Sequence, residues 1–186
     1  MKRISTVLLL ILVTAAGSFA QEFKAFRVGT GLGYAMASGK GAKGGVLWAL
    51  EPGYRVNDQI LANFRIEGAV IGRGYADETS ASVDVAALGS YSLNGQYYFN
   101  NNNFRPFAGL GVGLFSLAAV SVDASAGGGS TEAVAAANKV GFYPRLGFDA
   151  GHFTLNLDWN IVPETNGIKN SYIGIRFGGF FGGGRK

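Results

Sequence analysis

Apolar and polar side chains alternate with a period of two through most of this chain, which is the repeat of a β-strand and not of a helix. In FRVGTGLGY, Phe26, Val28, Leu32 and Tyr34 oppose Arg27, Gly29, Gly31 and Gly33. In VLWALEPGYRV, Val46, Trp48, Leu50 and Tyr54 oppose Leu47, Ala49, Glu51, Gly53 and Arg55. The split recurs in 62–70, where Phe64 and Ile66 oppose Arg65 and Glu67, and in 82–99, where Val83, Val85, Tyr91 and Tyr97 oppose Asp84, Ser90, Ser92 and Asn94. It continues in 104–115, from about Val140 to Asp149, in FTLNLDWNI, where Asp158 lies on the polar side, and in SYIGIRFGGFF, where Arg176 does. These eight segments predict eight strands.

The links between them form a second pattern. Those after the second, fourth and sixth segments are short, around Asn57–Gln59, Asn100–Asn103 and Gly151–His152; the others are longer and richer in Gly, Ser and charge. An all-β, eight-stranded up-and-down antiparallel barrel, with tight turns on one rim and loops on the other, produces this alternation. An even strand count returns both termini to the short-turn rim. The longest link, Ser116 to Asn138, holds three consecutive glycines and no aromatic residue, and it reads as a mobile recognition loop.

Charge decides which face is inside. The ionisable residues of the strand sections fall on one face: Arg27, Glu51, Arg55, Arg65, Glu67, Asp84, Arg145, Asp149, Asp158 and Arg176, five of each sign. The opposite face is broad, apolar and nearly free of charge. A soluble barrel would turn the charged face to water; a transmembrane β-barrel turns it to the lumen, because a midplane charge facing lipid costs about 2–4 kcal/mol. The ten charges are therefore expected to form a structural ion-pair network that plugs a lumen just wide enough for side chains. The outward aromatics fall in two bands: Phe26, Tyr54, Phe64, Tyr97, Phe99, Phe148, Phe153, Phe177 and Phe181 toward the short-turn rim, and Tyr34, Trp48, Phe142 and Trp159 toward the loop rim. Membrane interfaces favour such belts.

Three stretches, RPFAGLGVGLF at 105–115, GQYYF at 95–99 and the closing SYIGIRFGGFF, resemble the small eight-stranded outer-membrane β-barrels of Gram-negative bacteria, the generic outer-membrane β-barrel domain. The likeness covers essentially the whole mature chain. It implies an outer-membrane location and folding by the barrel-assembly machinery. The family includes structural proteins, adhesion factors and a few lipid-modifying enzymes, so the resemblance specifies architecture more than activity. Such barrels usually end on an aromatic residue, whereas here GGGRK follows Phe181.

The chain begins with Lys2 and Arg3, an apolar run from Val7 to Ala16 and Ser18-Phe19-Ala20, the three parts of a secretory signal peptide over 1–20, leaving a barrel domain over 21–186 with both termini periplasmic. Without Lys2 and Arg3, 14 basic residues face 12 acidic ones, so the pI carries no nucleic-acid signature. Glycine supplies 30 of 186 residues, about twice the usual share. In Gly29, Gly31 and Gly33 it reads as room for lumen side chains such as Tyr98, Phe107 and Tyr143, because the spacing and following helix of a phosphate loop are missing.

There is no cysteine, and the single histidine, His152, falls in a turn. No catalytic residue, cofactor or metal is expected. Asp149 and Asp158 could imitate a glycosidase pair, but lumen arginines are the simpler partners. The expected protein is a monomeric, non-enzymatic barrel with a structural or loop-mediated interaction or adhesion role. A small pore and a lipid-modifying enzyme are the alternatives. Its partners would be outer-membrane lipid, including lipopolysaccharide, and an extracellular molecule of unspecified kind. Near the outer loops Lys40, Lys43, Arg73, Lys139 and Lys169 share the rim with Asp77, Glu78, Asp123, Glu132 and Glu164.

Overall fold

The computed structural model describes residues 22–39, 42–77, 80–125, 128–164 and 169–186, with side chains in all of these but 42, 73–86 and 117–137. The predicted signal peptide, 1–20, lies outside them. Eight strands follow in chain order: β1 (Phe26–Ala37), β2 (Ala42–Arg55), β3 (Ile60–Asp77), β4 (Ser80–Tyr98), β5 (Phe104–Ser125), β6 (Gly128–Ala150), β7 (Phe153–Asn160) and β8 (Tyr172–Gly182). Each pairs antiparallel with the next, and β1 pairs with β8, closing the barrel. Closure removes every free sheet edge from the wall, the condition for backbone in hydrocarbon.

The period-two pattern becomes two faces. Outward side chains form a continuous apolar wall that includes Leu32, Val46, Leu93, Leu110, Val112, Leu146 and Ile175, all exposed. The expected aromatic bands face outward with it, Phe148 half-buried against Phe104 at 4.8 Å between ring centres. Trp48 lies across Gly68 of the neighbouring strand, where a Cβ would come within 2.5 Å of the indole nitrogen. An aromatic ring over a glycine restores cover to a bare stretch of sheet.

The links differ from expectation. β3 continues to Asp77 and β4 starts at Ser80; β5 continues to Ser125 and β6 starts at Gly128. The segment read as a mobile loop, Ser116 to Asn138, is instead mostly the top of the β5–β6 hairpin, paired down to Ser125↔Gly128, with a register shift between Leu117 and Ala119. The same part of β5 pairs with β4 from Leu88↔Leu117 to Ala81↔Ala124. The reason is visible in SLAAVSVDAS: β-branched Val120 and Val122 still alternate with small and polar residues, and two flanking strands accept the backbone hydrogen bonds that a lone loop would leave to water. Small side chains do not keep a segment from pairing. The strands instead lengthen from 12 residues in β1 to 23 in β6 and then drop to 8 and 11, and of the links only 161–171 is long.

A transmembrane strand needs about 9–11 residues, yet β5 has 22 and β6 has 23. β7 and β8 have only 8 and 11. One side of the barrel thus rises far beyond the other. Among the described residues β6 pairs with β7 only over Arg145–Ala150, apart from an isolated bridge Phe142↔Ile161. The upper part of β6, 128–141, has β5 on one side and, among the described residues, no paired strand on the other.

Inside, the side chains stack in layers. Toward the hairpin rim an apolar cluster of Leu47, Ala69, Ile71, Leu88, Phe115, Val162, Tyr172 and others fills the lumen. Val162 lies at the start of the long link and is held by Ser171, whose hydroxyl accepts from Val162 N–H at 3.1 Å and donates to Val162 O at 3.2 Å. Toward the terminal rim Leu61, Tyr98 and Phe107 form a second cluster. The rings fit because glycine faces them: a Cβ on Gly111 would lie 2.1 Å from the Tyr143 ring, and one on Gly147 would lie 2.5 Å from Phe107. Gly33 plays this part for Arg176, whose Cγ would be 2.8 Å away, whereas at Gly29 a Cβ would meet only ordinary contacts.

Candidate functional site

Between the two apolar clusters lies the charge. Arg65 and Glu67 come from β3, Glu51 from β2, Arg145 from β6, Asp158 from β7 and Arg176 from β8; strand parity turns each inward. Asp158 accepts from three guanidiniums: Arg145 Nε at 2.6 Å, Arg65 Nη1 at 3.0 Å and Arg176 Nη2 at 2.5 Å. Glu51 binds Arg145 through both oxygens, at 2.5 and 3.1 Å, and receives Arg176 Nη1 at 3.0 Å. Glu67 lies 3.3 Å from Arg65 and accepts a short hydrogen bond from the Tyr172 hydroxyl. Three arginines and three carboxylates thus form one neutral cluster. Its polar margins include Asn160, which accepts from Arg65 at 3.0 Å, and the Ser92–Tyr143 hydroxyl pair at 3.0 Å; the Tyr143 ring lies 3.8 Å from the Arg65 guanidinium carbon.

A separate pair sits nearer the terminal rim. Arg27 grips Asp149 with both terminal nitrogens, and the Tyr98 hydroxyl donates to the same carboxylate at 2.8 Å. Arg55 is at the rim itself, where it donates to Asp58 O at 3.2 Å and lies over the rings of Phe23 and Tyr98. Nine of the ten residues expected as one network therefore divide between a central cluster, a lower pair and the rim. The tenth, Asp84, lies in β4 opposite Arg73 and Ser121, and its side chain is outside the described ones.

Two residues of this interior escaped the sequence reading. Arg105, only 4% exposed, packs between Phe23 and Tyr98. Tyr172 is also buried in the lumen, along with Asn63 and Asn160, which alternation puts on the polar face. Parity could have found both, since Arg105 is in phase with Phe107, and Tyr172 with Gly174 and Arg176.

The termini close the same end. Phe23 bridges to Arg185, Lys24 N donates to Gly184 O at 2.9 Å, and Lys186 N donates to Glu22 O at 2.8 Å. Gly182 and Gly183 make the bend after Phe181, with φ of 68° and 60°. This left-handed region suits glycine, and the GGGRK ending is thus a return across the rim.

The Glu51, Asp149 and Asp158 carboxylates are engaged by guanidiniums, and Asp149 and Asp158 belong to different groups, not to one catalytic couple. His152 is exposed in the β6–β7 turn, stacked on Phe180 at 5.3 Å. Among the described residues no group of His, Cys, Asp and Glu has the arrangement of a metal site.

The family described as the outer membrane protein beta-barrel domain matches residues 5–181. The chain belongs to this family. Two solved outer-membrane barrels show the same fold. Neisserial surface protein A is 22% identical, with a TM-score of 0.51, over 83% of this chain and 94% of that one. Ail, the attachment invasion locus protein of Yersinia pestis, is 13% identical, with a TM-score of 0.50, over 87% of this chain and 99% of that one. No curated protein sequence matches the chain. This outer-membrane barrel is thus assigned by its family and fold.

Proposed function

We propose that this outer-membrane barrel is a non-enzymatic, non-conducting anchor whose raised β3–β6 side is an interaction or adhesion surface. The observation that carries the reading is the contrast between a filled lumen and a projecting sheet. Apolar side chains lie on both sides of a neutral charge cluster, so an ion would have to displace several buried partners to pass. The hairpins, by contrast, rise past the neighbouring strands; the eleven residues of β6 from Gly128 to Asn138 correspond to about 35 Å of strand.

The edge of β6 that is unpaired among the described residues suits capture of an extended segment, which adds a strand through backbone hydrogen bonds. A role of the kind in Ail's name, attachment, fits such a surface. In this reading both termini are periplasmic, the hairpins are extracellular, and lipopolysaccharide surrounds the upper wall near Lys43, Lys139 and Lys169. The barrel-assembly machinery would be its partner during folding. The placement of His152 in an exposed turn among the short links supports a non-enzymatic role, as does the engagement of lumen carboxylates by arginine.

Two measurements test the reading together. Purified, refolded protein should show no steady ohmic conductance in planar bilayers, and intact cells carrying it should bind host cells or matrix more than cells carrying a barrel without Asp123 to Val134. Conductance would favour the pore, and a change in lipid A mass on overexpression would favour an enzyme.

A further inference from the structure

A pocket of about 230 Å³ opens at the terminal rim, bordered by Phe23, Asn102, Arg105, His152, Phe180 and Arg185. We propose that it captures the free carboxylate at the end of a peptide chain. The argument begins with Arg105, which is unlike the arginines above it. Arg27, Arg65, Arg145 and Arg176 each meet a carboxylate. Arg105 is held by neutral acceptors: Nε donates to Asn100 O at 3.2 Å, and Nη2 donates to Asp58 O and to Asn101 Oδ1, the latter at 3.3 Å.

These bonds use Nε and Nη2 and not Nη1, and Arg105 borders the pocket. The residue is 4% exposed and its guanidinium is sandwiched, the central carbon 3.8 Å from the Phe23 ring centre and 4.3 Å from that of Tyr98. A cation fixed in this way, with no carboxylate among its hydrogen-bond partners, attracts an anion because little must reorganise. Asp149 also borders the pocket, but Arg27 takes both its oxygens and Tyr98 shares one. At the lip Arg185 is already paired with Glu22 at 2.8 Å. Of the two arginines that border the pocket, only Arg105 has no carboxylate partner, and a terminal carboxylate matches it.

Size and surroundings select the rest of the ligand. Pockets that enclose a whole small molecule run to about 300–1,000 Å³, so this one takes an end group whose body stays outside. Phe23 and Phe180 offer apolar contact to a terminal side chain. Asn101, Asn102 and Asn103 bring amides that can hydrogen-bond a peptide backbone. Capture of a chain terminus is an established recognition mode for such small polar pockets.

The test uses the full refolded mature chain in detergent with acetyl-alanyl-alanine, its C-terminal amide and inorganic phosphate as probes, followed by NMR titration. The acid should bind saturably and at least ten-fold more tightly than the amide or phosphate. Arg105→Gln should remove that preference while heat-modifiable gel mobility stays intact. Asn102→Trp, which fills the pocket from an exposed position and leaves Arg105 in place, should do the same and decides the matter if Arg105→Gln fails to assemble. Equal binding of acid and amide, no saturable binding of the acid, tighter binding of phosphate, or an Asn102→Trp protein that binds as wild type does would each overturn the proposal.

Discussion

Asp158 concentrates three guanidiniums on one carboxylate in a site with no exposure to water. Removing one partner of a buried ion pair costs about 3–5 kcal/mol, because the remaining charge stays desolvated. Asp158→Asn should fall at the upper end of that range and Arg65→Ala within it, both read as a lower urea midpoint for unfolding from lipid vesicles. Arg55→Ala, at the rim, should cost less than Arg65→Ala. Gly111→Val should also prevent normal packing, since its first carbon would already lie inside the Tyr143 ring; slow or incomplete acquisition of heat-modifiable mobility would show it. At this scale the side chain's direction was legible from parity alone, and so was the opposition of arginines to acids. Which arginine meets which acid was not. Arg145 and Glu51 are 94 positions apart, and only the curvature of the closed wall brings them to 2.5 Å.

Among the elements, the β5–β6 hairpin has two parts with different duties. Its lower half is wall, and its upper half, beyond Ser116 and Asn138, projects. Deleting Asp123 to Val134 shortens the projection and leaves the pairing from Phe104↔Ala150 to Ser116↔Asn138 untouched. The deleted protein should therefore keep its heat-modifiable mobility, because the pairing that remains is the part of the hairpin that forms the wall. A failure to assemble would make the projection part of the folding unit. The positions of all eight strands could be read from alternation, but the heights of β3 to β6 could not. A run of Ala, Ser and Gly has little strand preference of its own; partners on either side decide whether it pairs.

For the whole molecule, sidedness and sealing are the measurable properties. An epitope placed next to Gly128 should be labelled on intact cells, while one appended after Lys186 should be reached only after the outer membrane is opened. The reverse pattern would invert the barrel. The wild-type barrel should remain silent in planar bilayers, and so should a version truncated after Phe181, because the central cluster and the hairpin-side apolar layer lie away from the terminal closure. Conductance after that truncation would place the seal at the rim.

Local chemistry sufficed for everything that depends on one strand at a time: the period of two, the apolar outer face, the inward charges, the aromatic bands and the even strand count that brings both ends to one rim. These follow from neighbours in sequence and from the cost of charge in lipid. Closure of the barrel decided everything that depends on distant strands. It sorted the inward charges into a central cluster, a lower pair and a rim group, placed apolar layers on either side, and turned a glycine-rich stretch into a paired hairpin. It also brought Phe23, Arg105 and the final five residues together at one end. The physical reason is the same in each case: a strand's pattern states which way a side chain points, and only the curvature and register of the other seven state what it meets.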